Sequence, residues 1–161
     1  MCFPSFAYLL PWYVFGQGRS QDRAADPTLD LHRWNDLLSS FEKLRRDDIA
    51  NHRMSASDPI VVHKWFPGGH IYRYVAYPLK MRLIGLGDLN DLHKFHWLNA
   101  MYGSIKPGSN ACFISTSNYF TDPKPRYSEK FSIIDKAATV TQKREGEIAL
   151  HWYVYRLRKS R

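Results

Sequence analysis

Residues 60–86 read IVVHKWFPGGHIYRYVAYPLKMRLIGL, and the fold turns on how they are parsed. Ile60 to Phe66 is short and β-branched, and Pro67-Gly68-Gly69 is a turn signal. His70 to Leu86 then alternates, with Tyr72, Tyr74 and Ala76 on one face and Ile71, Arg73 and Val75 on the other. Two extended runs joined by Pro-Gly-Gly predict a hairpin. Pro78 cannot donate to a strand ladder, which makes the second run an edge strand or places a bulge there. Gly85 and Gly87 end it.

Helices flank this stretch. Asp26 and Pro27 form an N-cap followed by proline at the first helical position. Leu31, Trp34, Leu38 and Phe41 then recur at helical spacing, with Leu37 and Leu44 widening the stripe. The spacing predicts a helix over 27–46, with Lys43, Arg45 and Arg46 in its last turn, where cations favour the negative end of the helix dipole. Asp88 caps a second helix whose apolar face is Leu92, Phe95, Leu98 and Tyr102, and Gly103 stops it. Ala111 to Asn118 alternates as a strand, and 122–126 (DPKPR) reads as an exposed basic loop. Residues 129–140 and 147–157 read as the last strands, turned near Arg144-Glu145-Gly146. In the final one Ile148, Leu150, Trp152 and Val154 share a face, with His151, Tyr153 and Tyr155 opposite. The pattern predicts an α+β fold: a largely antiparallel sheet packed by two main helices, in a single compact domain (27–161) behind an N-terminal arm and linker (1–26).

The arm, MCFPSFAYLLPWYVF over 1–15, is apolar and aromatic but shorter than the roughly 20 apolar residues a bilayer span requires, and Pro4 and Pro11 interrupt it. It lacks the basic start and small-residue cleavage site of a secretory signal. Packing on its own core and docking on a neighbouring subunit or a membrane interface both remain open. Gln17 to Asp26 reads as a polar linker. The chain of 161 residues carries 23 Lys and Arg against 15 Asp and Glu, a net charge of +8. Such a surplus attracts polyanions, either phosphate backbones or anionic membrane. Two cysteines, Cys2 and Cys112, are too few for a disulfide framework or a Cys-rich zinc site.

Catalytic signatures are missing: there is no GxxxxGK[ST], GxGxxG, HExxH or CxxC. His93 and His96 share one side of the second helix, but a metal would need a third ligand such as Asp88 or Asp91. They are read as a solvated or interfacial face, Cys112 as a buried inert thiol, and the carboxylates Asp47-Asp48 as solvated. No enzyme activity, cofactor or metal is expected. Cations carry more signal, with ten in 120–161 against five acidic residues. The expected polyanion-binding set is Lys43, Arg45, Arg46, Lys124, Arg126, Lys143, Arg144, Arg156, Arg158, Lys159 and Arg161, the last four forming a tail beyond an aromatic strand. Aromatics beside such cations would stack bases or lie on anionic lipid.

The order of elements resembles the matrix proteins of rhabdoviruses. The likeness lies in Tyr72 to Leu86 leading to Leu92–Tyr102 with Trp97 and Met101-Tyr102. It continues in Ala111 to Tyr127, Phe131-Ser132-Ile133, and Gly146-Glu147-Ile148-Ala149-Leu150. It covers about 60–158 in pattern rather than identity. The PPxY and P[TS]AP motifs and N-terminal basic cluster of animal-virus members are absent, so the likeness is to a plant-infecting member. The resemblance implies a non-enzymatic virion protein that self-associates and bridges nucleocapsid and membrane, peripheral to membrane in virion and host cytoplasm. Self-association would use Phe3, Phe6, Tyr8, Leu9, Leu10, Trp12, Tyr13 and Phe15 of the arm, docked on the next subunit. The alternatives are an RNA-binding module using Tyr72, Tyr74, Tyr153 and Arg156 on a sheet face, such as a viral silencing suppressor or ribosome-associated protein, and a small α+β enzyme with a pocket between helix and sheet.

Overall fold

The structure, a computed structural model, describes residues 34–144 and 146–161, apart from the side chain of Leu98. The arm, the linker, the Asp26-Pro27 helix start, Leu31 and Glu145 therefore lie outside the described residues. Helix α1 (Trp34–Ala50) buries Trp34, Leu37 and Phe41 on one stripe, with Leu38 and Leu44 half-buried beside them. It runs four residues beyond the predicted end, so Lys43, Arg45 and Arg46 are not in the last turn, which holds no basic residue. Asp47-Asp48, which we read as solvated, occupies that turn instead.

The stretch 60–86 is not a hairpin. Strand β1 (Ile60–Val62) leads into helix α2 (Trp65–Ile71), a π-helical turn (Tyr72–Ala76), and strand β2 (Leu83–Gly85). β1 and β2 pair in parallel, Ile60 with Leu83 and Val62 with Gly85. Parallel neighbours need a crossover, and the predicted second strand is that crossover. Ile71, Val75 and Ala76 are buried, Leu79 half-buried, and all pack in one cluster with α1 and β1, so the period is helical rather than two. Pro67 enters through a cis bond with Phe66, and Phe66 itself is extended (φ −111, ψ 123). Gly68 then lets the helix approach Val62, whose Cγ2 would lie 3.3 Å from an added Cβ.

The second predicted helix is two: α3 (Leu89–Leu92), capped by the Asp88 carboxylate accepting from Asn90 N–H at 2.8 Å, and α4 (Phe95–Tyr102). His93, at φ +47, breaks them, and Gly103 ends α4 at φ +76. Strand β3 (Ala111–Thr116) is followed by a short 3₁₀ turn, and 122–126 is not a loop but the start of helix α5 (Pro123–Tyr127), with Asp122 accepting from Lys124 N–H at 3.0 Å. Strands β4 (Phe131–Arg144) and β5 (Glu147–Ser160) form the long hairpin, with Gly146 in its turn at φ +86.

The sheet runs β2-β1-β3-β5-β4. It is mixed: β1 is parallel to both neighbours, while β5 is antiparallel to β3 and β4. The α+β class holds in a single compact domain, with the antiparallel character confined to the longer strands. One face, with Ile60, Val62, Leu83, Cys112, Ile114, Trp152 and Val154, packs beneath α1 and the crossover. The other, with Val61, Ile84, Phe113, Tyr155 and Leu157, packs on Tyr127 of α5 and on Phe131. Each fully buried large side chain here contributes roughly 1.5–3 kcal/mol. At the β2 edge, Asn99 of α4 imitates a neighbouring strand: its Oδ1 accepts from Gly85 N–H and its Nδ2 donates to Gly85 C=O, both at 2.8 Å.

Asp48 joins the layers. Arg156 of β5 donates to it through Nε and Nη2 at 2.7 and 2.8 Å, and Arg53 Nε donates at 2.7 Å. Burial raises the Asp48 pKa, but the bonds and charges of Arg156 and then Arg53 outweigh it and leave the carboxyl below its ordinary value. That stability is present above the unfolded carboxylate range and is lost as pH falls through the folded value. Removing one partner of a buried pair costs about 3–5 kcal/mol. Asp48→Ala should therefore lower urea-unfolding stability by about 3 kcal/mol, and the exposed neighbour change Asp47→Ala by under about 1 kcal/mol. Equal losses in the two would refute this division.

Candidate functional site: an aromatic surface at the strand ends

β1, β2 and β3 point the same way, so the segments following them gather at one end of the sheet. The chain leaves β1 toward β2 and later returns across to β3, which makes the gap between β1 and β3 the topological switch point where open sheets hold ligands. His63 fills that gap. It is buried against the Phe113 ring (centroids 5.7 Å apart), and its Nε2 lies 3.2 Å from Thr121 Oγ1. A Cβ on Gly87 would come within 2.9 Å of the His63 carbonyl oxygen, so only glycine passes there. Burial, then the positive charges of Arg126 and Lys64, lower the His63 pKa to about 4, against a smaller opposing effect of Asp91. The imidazole is neutral at physiological pH. A base that activates a hydroxyl also needs an orienting group, and no carboxylate hydrogen-bonds this ring among the described residues.

Rings spread over the surface from this point. Trp65, just after β1, meets Phe66 and His93 edge-on at 5.7 and 6.0 Å, and Phe66 meets His70 and Tyr119 at 5.2 and 5.5 Å. His70, buried Trp34 and Tyr74 form a near-parallel trio, with centroids 5.1 Å (Trp34–His70), 6.0 Å (His70–Tyr74) and 6.0 Å (Trp34–Tyr74) apart. Phe120 stands on Tyr153, whose ring also lies under Lys136 Nζ at 4.9 Å. Trp65 and Phe120 are about half exposed, at 52% and 53%. On α4, Phe95, Asn99 and Tyr102 face inward, and Trp97 and Met101, one turn apart, face out at 71% and 76% exposure. Trp97 and Met101 thus leave large apolar side chains in solvent on a helix whose other side is packed.

The cationic set is not one surface. Arg156 is bound to Asp48 and, through Nη1, to Asp135 at 3.0 Å, and Arg158 also binds Asp135, so neither belongs to a free tail. Arg144 is buried, and Arg45 donates to the Ala56 carbonyl at 2.7 Å. Lys143 is exposed but already has an interaction partner. Lys43 and Arg46 sit on α1, Lys124 and Arg126 on α5 across the sheet, and Lys159 and Arg161 at the end of β5. The aromatic set fails likewise: Tyr153 and Arg156 point to opposite faces of β5, and Tyr72 Oη contacts Tyr102 Oη at 3.3 Å. The arm residues Phe3, Phe6, Tyr8, Leu9, Leu10, Trp12, Tyr13 and Phe15 lie outside the described residues. Among the described residues no group of three or more His, Cys, Asp or Glu is placed to hold a metal, and His93 packs on Trp65 instead. Cys112 is buried, which pushes its thiol up to about 12. No described helix is long and apolar enough to cross a membrane. Trp65, Tyr119 and Phe120 were missed in sequence because their exposure depends on the crossover; Trp97 and Met101 were legible as an i, i+4 pair opposite Phe95 and Tyr102.

No protein-family model, curated protein or solved structure matches the chain.

His63 sets an acid limit. Its folded pKa lies below the unfolded value, so the unfolded chain takes up the proton first, and stability falls as pH drops from about 6.5 to about 4, by roughly 3 kcal/mol in all. Urea unfolding of the full chain and of His63→Gln across that window should show the variant with the flatter profile. Parallel profiles would mean that His63 is not the group responsible.

Proposed function

We propose that the protein is a non-enzymatic assembly protein of the matrix type, which associates with copies of itself through the aromatic surface. The observation that carries this reading is the outward pair Trp97 and Met101 with the half-exposed Trp65 and Phe120, on elements whose inner faces are packed. Aromatic residues and Met are the side chains that interface cores favour. The apolar arm, Phe3 to Phe15, is the second adhesive element and docks on the neighbouring subunit. A contact between two different patches propagates into filaments or lattices unless it closes. The residual positive charge then attracts nucleocapsid, RNA or anionic membrane in a salt-dependent manner, and the protein works peripheral to membrane in virion and host cytoplasm.

Sedimentation of the full chain across the micromolar range tests this. The mass should rise with concentration above 18.9 kDa, and Trp97→Ser with Met101→Ser should weaken association at least tenfold without lowering the melting temperature. Deleting 1–18 should weaken it further. A chain that stays monomeric throughout would end the proposal.

A further inference from the structure

A second open surface lies on the α5 side of the sheet, along the β4–β5 hairpin. Near α5 that face is closed: Tyr127 packs on Phe113, and Tyr155 beside it is buried. Further along β5 it opens. Tyr153 and His151 point the same way as Tyr155 but are only half-buried, and Thr139 and Thr141, directly opposite them on β4, are exposed.

The side chains there are placed against one another. The Tyr153 and His151 rings lie side by side, 28° from parallel with centroids 6.0 Å apart. Thr141 Oγ1 lies 3.1 Å from His151 Nδ1 and holds that ring. Phe120 stands perpendicular to Tyr153 at 5.5 Å, and Lys136 Nζ lies over the Tyr153 ring at 4.9 Å. Lys136 is exposed and has no ion pair among the described residues. Its neighbour Asp135 points to the other face, bound to Arg156 and Arg158. Asp122 and Glu147 each sit beside cations: Asp122 begins α5, which carries Lys124 and Arg126, and Glu147 pairs in register with Arg144.

Two rings in line along a strand, with hydroxyls beside them and an ammonium above, suit a ligand that offers flat rings joined by anionic links. A second copy of the chain would meet threonines and a lysine here, whereas α4 offers it Trp97 and Met101. We propose that this face binds single-stranded nucleic acid, with successive bases stacked on Tyr153 and His151 and a phosphate paired with Lys136. An exposed cation–π contact is weaker than a base on an aromatic ring, so a base displaces the ammonium and the ammonium takes the backbone. The site borders the self-association surface at Phe120 but uses neither Trp97 nor Met101, and it stands without that surface.

Fluorescence anisotropy of a labelled oligouridylate with the full chain tests the proposal. Saturable binding is expected, and the same strand annealed into a duplex should bind at least tenfold more weakly, because its bases are no longer free to stack. Lys136→Gln should lower the slope of log affinity against log salt by about 0.7, the loss of one phosphate contact on a single strand. Tyr153→Leu keeps an apolar side chain against the core but removes the ring, and should weaken binding about tenfold. Thr139→Glu, at an exposed position facing Tyr153, should weaken it as much with the melting temperature unchanged, whatever Tyr153→Leu does to folding. A duplex bound as tightly as the single strand, or equal affinity in Thr139→Glu, overturns the proposal, since either leaves only diffuse charge. So does binding to anionic phosphatidylglycerol vesicles with none to the oligouridylate. A chain that associates with itself yet binds no oligouridylate overturns this site and leaves the assembly reading standing.

Discussion

The bidentate contact between Asp48 and Arg156 is the interaction on which the layered arrangement depends. It ties the last turn of α1 to the middle of the sheet, 108 residues along the chain. The same carboxylate is held by Arg53, while the Asp48 backbone carbonyl accepts from Arg53 N–H and Met54 N–H and so closes the helix end. Carbonyls at that end lack intrahelical partners, and the return of the chain supplies them. A carboxylate at the negative end of a helix dipole is unfavourable by itself. Two guanidiniums reverse that balance, and Arg156 is in turn steadied by Asp135 of β4, next to Arg158. One charge network thereby fixes the angle between α1 and the β4–β5 hairpin, which apolar packing alone leaves free to slide.

Much of the fold was legible in the sequence, and the failures have physical causes. Trp34, Leu37 and Phe41 repeat at a period only a helix satisfies, and the β4–β5 hairpin announces itself through alternation and Gly146. Residues 70–79 obey both periods. Tyr72, Tyr74 and Ala76 alternate with Ile71, Arg73 and Val75, yet Ile71, Val75, Ala76 and Leu79 also make one helical stripe. Only the neighbours decide, because a helix here covers Val62 and faces Trp34 while a strand would leave both open. Pro67-Gly68-Gly69 misled for a related reason. Glycine at 68 serves close approach to β1 rather than a turn, and none of the three residues has a positive φ.

The candidate site was less legible, because exposure is a property of assembly. Asp47 and Asp48 are indistinguishable as a sequence pair, and a rotation of one helical position separates a solvated carboxylate from a buried one. Arg156 and Arg158 looked like the free end of a cationic tail, whereas strand register points both at Asp135. His63 gave no signal at all. Its burial follows from lying where β1 stops, under the segment that leaves β3, with Gly87 pressed against its backbone.

Removing Arg144, Arg156 and Arg158 from the accessible set changes what the +8 charge does. Of the expected set, the exposed cations other than Lys143 are divided between α1 on one side of the sheet, α5 on the other, and the strand end that carries Lys159 and Arg161, while further exposed cations such as Lys64, Arg73, Lys94 and Lys106 are scattered elsewhere. Screening at physiological salt acts over about 8 Å, less than the roughly 10 Å between packed layers. These groups therefore act as separate weak fields rather than one footprint, and in the proposed assembly they favour fast, salt-sensitive encounter over a fixed register. In the proposed assembly, tight, oriented contact comes from surfaces that act at van der Waals range, the aromatic strand ends and the outer side of α4. In the proposed assembly, charge governs approach and the rings govern attachment, a division imposed by where Asp48 and Asp135 have already bound the arginines.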